Sequence, residues 1–454
     1  MAVCTSFATR KPSLPRAAAI QGTMLARVLS PLCARPTSLT AGGITLRAMS
    51  TSESPVADKE FPFARPRTFE PPAEYAQLRR ECPVAQANLF DGTPIWLLTK
   101  LKDCQQVLVD VRFSKVRTHP GFPELVPGAK AAVEGREPTF VDQDPPQHTK
   151  FRGFFAPYFT AEYGEKMRPG IRQKVDELID DMRKGSKPAN LQEAFSLPLP
   201  FKVIYELLGI PFSDYDFLSN NIAMRTSGSS TARDAAAAQD ELTNYMERLV
   251  DQKIQNPKED VISWVIRDNL HKGEISRDQL AAHAFLLVVA GNATVASMIN
   301  LGVMTLLDNP DQLAALQRDQ SLLNSAVHEI CRYHTASSYA LRRVALEDVQ
   351  VGGTTVKSGE GIIALNQSAN RDEEHFPDPD RFDIKRSPNP EIAFGYGTHL
   401  CIALPLSVVE LEEAFRGLFD GRLNNLRLAV PASQLQFSEP RQDVGLVEMP
   451  VTWD

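Results

Sequence analysis

Acidic residues are missing from the first 52 positions of this 454-residue chain, whereas six basic residues stand there: Arg10, Lys11, Arg16, Arg27, Arg35 and Arg47. A segment that bears Arg, is rich in Ser, Thr and Ala and holds no acid reads as an organelle-targeting presequence, not as part of a fold. It also lacks an apolar stretch after its first charges, which excludes a secretory signal. Mitochondrion and plastid both fit this composition, and the cytosol follows if the segment does not function. LRAMS, around Met49, is the expected cleavage region. Beyond position 52, 43 basic residues face 56 acidic ones, a net charge of −13. Such a body does not bind nucleic acid through its charge, and any anionic ligand needs a local basic pocket.

Cysteine is scarce. The six (positions 4, 33, 82, 104, 331 and 401) show no CxxC spacing, which argues against a zinc site or a disulfide framework. Charge is absent from AFLLVVAGNATVASMINLGVMTLL, residues 284–307. Length alone permits a membrane span. Asn292, Thr294, Asn300 and two glycines interrupt the run, and no Lys/Arg cluster flanks it. The expectation is a long helix in the core of a large soluble domain, without a transmembrane span. Internal repeats are also absent.

What is present is mostly helical. Helical periodicity dominates from about residue 147 to about residue 335 and returns at 407–419. GTPIWLLTK (92–100) and VALEDVQVGGTTVKSGEGIIAL read as strands, with Gly352-Gly353 as a hairpin turn. LRLAV and VGLVEMPVTW read as short closing strands. The pattern predicts one mostly α domain with small β-sheets over 53–454, preceded by an unstructured 1–52.

AFGYGTHLCIAL (393–404) carries the chemistry. Gly395 and Gly397 allow a tight turn against a flat cofactor. Cys401 enters a helix start, where free amides and the helix dipole favour a thiolate, either nucleophile or metal ligand. The string FGYGTHLCIA resembles the signature loop of the haem-thiolate cytochrome P-450 superfamily. That resemblance implies a single haem domain of the P-450 fold binding haem b, with Cys401 as axial iron ligand and His399 at a haem propionate. HEICR supplies Glu329 and Arg332 at i,i+3, and PDRF supplies Arg381. The resemblance makes these three a buried brace for the haem loop. DPPQHTKFR supplies His148 and Arg152 at i,i+4, suited to propionates.

The superfamily's monooxygenases usually place an acid before the Thr of the helix over the haem. In AGNAT that residue is Ala293. The strings KVRTHPGFPEL, TFVDQDPPQH, RTSGSSTAR, AGNAT, CRYHTAS, NQSANRDEEHF and RQDVG resemble the soluble nitric oxide reductases of the cytochrome P-450 type. That family reduces two NO to N2O, takes a hydride directly from NADH or NADPH and needs no redox partner protein. It splits no dioxygen, so the missing acid is no loss. The resemblance assigns NAD(P)H binding to Lys115, Arg117, Arg225, Arg342 and Gly128, and makes Arg343 a further propionate ligand. It joins Glu124, Arg117 and Asp142 in a salt-bridge network. Thr294, Ser337 and Asp443 become the proton relay, with Asn292 beside Thr294 in the catalytic set. Val126 and Gly128 stand where fungal members carry Ser near the adenosine end, which leaves the choice between NADH and NADPH open. Two alternatives stay open: a monooxygenase fed by external redox partners, and a non-catalytic haem protein that binds NO.

Overall fold

The computed structural model describes residues 54–65, 69–130, 133–226, 232–437 and 444–454. The expectations placed on residues 1–52 and on Asp443 lie outside these residues.

The charge-free run becomes the helix Arg277–Asp308, 32 residues long. It opens on a capping box, Ser276 accepting from the Gln279 amide while the Gln279 side chain accepts from the Ser276 amide, which satisfies two otherwise free N–H groups. It packs against the helices Pro198–Leu208, Ala232–Gln255, Leu323–His334 and Leu404–Leu418. Its apolar length is thus covered by other helices of the same chain. Gly302 permits the closest approach, because a Cβ there would sit 2.3 Å from the Phe415 ring.

The helix Leu404–Leu418 is held from its other side by Ala161–Lys184. Arg168 bonds Glu412 and Glu413, and Arg172 and Arg416 both bond Glu413, at 2.6 to 3.0 Å. Burial pushes the Glu413 carboxyl up, but Arg172, Arg416 and Arg168 outweigh it and hold the group down at about 2.

The principal sheet has five strands, in the order Val84–Asn88, Pro94–Leu98, Gly361–Ala364, Arg342–Ala345, Phe113–Ser114. All neighbours are antiparallel except Pro94–Leu98 with Gly361–Ala364. The Gly352-Gly353 hairpin forms as expected: both glycines have positive φ (54° and 83°), and Val351 pairs with Thr354. Within Arg342–Ala345, successive side chains point to opposite faces. That alternation separates two neighbouring arginines into two different jobs.

Candidate functional site

The cysteine loop is fixed by backbone bonds. The Cys401 amide donates to Phe394 O at 2.9 Å, and the Leu400 amide to Gly397 O at 3.0 Å. Gly395 and Gly397 have φ of 82° and 70°. A Cβ on Gly397 would also meet Val109 Cγ1 at 2.7 Å and Leu108 O at 3.0 Å, so glycine is required there twice over. The helix behind the loop begins at Leu404. Burial pushes the Cys401 thiol up, while the amides of Ala403 and Leu404 and the charge of Arg152 act in the opposite sense. Those donors suit a thiolate that shares its charge with a metal.

The brace under this loop differs from expectation in one member. Glu329 and Arg332 are fully buried and pair at 2.7 Å. Arg332 also donates to Asn370 O and Pro379 O. The second arginine on Glu329 is Arg386, whose Nε lies 3.1 Å from Oε2. Arg381 is exposed and contributes only its carbonyl, which accepts from Arg332 and Arg386. The reason is local: Asp378 takes a positive φ of 45°, and the turn it opens carries Arg381 outward and brings Arg386 back.

Between the cysteine loop and the central helix lies a cavity of ≈ 310 Å³. Lys115, Arg152, Arg343, His399, Thr294, Ser337 and Cys401 all line it. His148 stands behind His399, with ring centroids 4.2 Å apart. Both nitrogens of His148 and Nη2 of Arg343 are buried without a partner. Burial, reinforced by the surrounding cations, pushes His148 down to about 4 and His399 to about 2. Unpaired buried donors are costly unless something accepts from them. A dianion such as the two haem propionates is what this set lacks, and a flat macrocycle with a thiolate beneath it matches the rest. His148, Arg152, Arg343 and His399 therefore fit a haem, and Cys401 its iron.

A second set of cations leads outward from the cavity. Lys115 Nζ donates to Ala340 O, and its amide to Asp144. Burial and the charges of Arg343 and Arg342 hold the Lys115 amine well below its ordinary value. Glu124 bridges two guanidinium groups, Arg117 at 2.7 Å and Arg342 at 2.7 Å. Arg117–Glu124 thus forms as expected, with Arg342 as its third member. Asp142 departs from expectation. Its carboxylate takes only the Thr139 hydroxyl at 3.3 Å, sits in no ion pair among the described residues, and acts on Lys115 and Arg342 through space. It lies in the short turn Phe140–Asp142, where Thr139 satisfies it locally. Arg225 closes the helix Tyr215–Thr226, over the Phe285 ring at 5.7 Å. Arg136, exposed, is linked electrostatically to both Arg225 and Arg117: its charge acts on Arg225, and it feels that of Arg117. No spacing rule marks Arg136 in the sequence. Gly128 has φ +76° with open space where a Cβ would be, on the same 115–130 segment but not in the cavity wall.

The relay candidates divide. Thr294 and Ser337 line the cavity, and the Thr294 hydroxyl donates to Ala290 O at 3.1 Å. Asn292 does not join them. It is 2% exposed, its amide donates to Val288 O, and it is absent from the cavity wall. At 100° per residue, positions 287, 290, 291, 294 and 298 share the cavity face and 292 turns off it. Asp443 lies outside the described residues.

Residues 200–450 match the family model described as Cytochrome P450. The chain is 46% identical over 408 residues to cytochrome P450 55A3 of Fusarium lichenicola, covering 89% of this chain and all of the relative. It is 37% identical over 410 residues to vitamin D3 dihydroxylase of Streptomyces griseolus, covering 90% and 99%. Among solved structures, the mycinamicin VIII C21 methyl hydroxylase of Micromonospora griseorubida superposes with a TM-score of 0.82 at 32% identity, over 87% of this chain and all of that one. The structure of GfsF gives 0.81 at 36% identity, again over 87% and 100%.

Proposed function

Because the chain belongs to the cytochrome P450 family, we propose that its haem-thiolate centre reduces two NO to N2O with NADH or NADPH as direct hydride donor. The observation that carries this reading is a set of cations beyond the cavity wall with donors to spare. Arg342 and Arg225 each keep a buried guanidinium nitrogen without a partner among the described residues, in a body whose net charge is −13. Unsatisfied guanidinium groups along an entrance suit a pyrophosphate, whose oxygens accept from Arg in pairs. The central helix supports the same reading, since Ala293 leaves Thr294 without a neighbouring acid.

Haem, when bound, supplies the iron centre at which NO accepts electrons. Cys401 would hold that iron, and His148, Arg152, Arg343 and His399 would neutralise the propionates. Lys115, Arg117, Arg225 and Arg342 capture the dinucleotide and aim its nicotinamide inward. Thr294 and Ser337 hold protons, or a water, at the cavity wall. No partner protein is needed, because the donor enters the same cavity.

Anaerobic mixing of the purified, haem-loaded protein with NO and NADH or NADPH, and no added reductase, should yield N2O. A second reading has its own support: relatives of 32–37% identity bear names that denote hydroxylases. If neither nucleotide drives N2O formation while a ferredoxin system drives substrate oxidation, that reading replaces the first. NO binding with no turnover under any donor would leave a non-catalytic haem protein.

A further inference from the structure

The cavity wall on the cysteine side contains one acid. Glu410 sits in the helix Leu404–Leu418, one turn past Ser407 on the same face, and both line the cavity together with Cys401. The residue is 5% exposed, and its Oε2 has no hydrogen-bond partner. No counter-charge among the described residues compensates it. On its own helix, Glu412, Glu413 and Arg416 engage Arg168, Arg172 and Asp176 of Ala161–Lys184. From Leu323–His334, His328 pairs with Glu391, and Glu329 with Arg332 and Arg386. The stretch of central helix packed here, 289–303, has no charged residue, and neither has Ala156–Phe159. Across the cavity, Arg152, Arg343 and Lys115 gather around the histidines instead. Burial alone acts on the Glu410 carboxyl and pushes it up to about 8.

We propose that Glu410 is a proton-holding positioning residue of the haem cavity, a neutral carboxyl on the cysteine side whose proton is coupled to reduction of the haem iron. A buried acid with no cation nearby is stable only when neutral. An electron entering the iron adds negative charge to the same enclosed space, and a carboxylate there becomes still less favourable. Where solution has removed the proton, reduction restores it. The iron gains one electron from a one-electron reductant, a Glu410 oxygen gains an O–H bond to a solvent proton, and the net charge of the cavity is unchanged. Proton affinity is therefore higher in the reduced state, and the midpoint potential falls as pH rises past the oxidised-state value. The inference rests on the haem site and is independent of whether NO or another molecule is the substrate.

The test is the ferric/ferrous midpoint of the haem-loaded protein, followed with dithionite and redox mediators from about pH 6 to about pH 10. The wild type should lose up to tenfold in its reduction equilibrium per pH unit above the turning point, which is about 59 mV for a one-electron couple. Glu410→Gln should remove that slope. Lys115→Met should keep it, which separates Glu410 from the buried lysine of the same cavity, whose amine also sits well below its ordinary value. A flat wild-type profile, or a slope that survives in Glu410→Gln, overturns the proposal. If Glu410→Gln does not load haem, the ferrous-minus-ferric infrared difference spectrum of the wild type near pH 8 decides. A protonated-carboxyl C=O band that grows on reduction and shifts in D2O supports the coupling, and its absence overturns it.

Discussion

The two sides of the cavity solve opposite problems. On the cysteine side nearly every charge is settled within the protein. Glu329 is shared by Arg332 and Arg386, Glu413 by three arginines, and the thiol meets amides of its own loop. Along the rim and the entrance, donors are gathered and left incomplete: among the described residues, His148, Arg342, Arg343 and Arg225 all hold buried nitrogens with no partner. Buried polar groups are normally satisfied, so the first side reads as structure and the second as a binding surface awaiting anions. Substitutions should therefore act on stability and ligation on one side, and on ligand capture on the other.

The largest effect belongs to the ligand. Cys401→Ala should abolish the red-shifted Soret band of the ferrous–CO complex, because the other cysteine of the cavity wall, Cys331, is buried with its thiol pushed well up and is not set in the glycine loop; a variant that keeps the band would refute the ligation. Next comes the brace. Glu329→Gln leaves Arg332 and Arg386 buried against a neutral partner and should destabilise the protein by about 3–5 kcal/mol, read as a shifted denaturant midpoint. Arg386→Ala should be far more damaging than Arg381→Ala, and the reverse order would restore Arg381 to the brace.

On the other side, Arg342→Ala should raise the NAD(P)H requirement about tenfold to a hundredfold, the worth of roughly 1.5–3 kcal/mol in one charge-assisted bond. The denaturant midpoint and NO binding to ferric haem should barely move. Added salt should mimic the defect in the wild type. If Arg342→Ala instead lowers stability as much as Glu329→Gln, the contrast between the two sides collapses. The smallest effect is on acid stability. Burial, aided by Arg152 at His148 and Arg343 at His399, keeps both rings neutral down to about 4 and about 2. In the unfolded chain such rings protonate at about 6.5. The unfolded state thus binds more protons, and stability falls as pH drops from about 6.5 towards 4. Bound propionates give the protonated rings a partner, so the fall should be steeper in haem-depleted than in haem-loaded protein. Equal slopes would mean that these rings do not face the propionates.

Much of this was legible because it depends on local spacing. The i,i+3 step joins Glu329 to Arg332, the two glycines and Cys401 sit in one short loop, and strand alternation parts Arg342 from Arg343. Gly352-Gly353 announced its hairpin through the only residue type at ease with two positive φ values in succession. What failed depended on where a chain turns. Arg381 and Arg386 are equivalent in sequence until the backbone at Asp378 selects one. Asn292 neighbours Thr294 in the chain but not on the cavity face. Asp142 was expected in an ion network and is satisfied by Thr139 three residues away. Glu410 was hidden for another reason: in ELEE it reads as one more acid of an amphipathic helix, and only the packed cavity shows that it alone lacks a cation.

Glu124 draws the last consequence. Its carboxylate holds Arg117 and Arg342 in place from opposite oxygens, so the ordering of two long side chains is met during folding and not when a ligand arrives. The same carboxylate competes with any phosphate for those guanidinium groups. Under the proposed function, an entrance built this way would trade tightness for speed: the donor would find a ready-made clamp, and the resident counter-ion would take the clamp back when the spent molecule leaves.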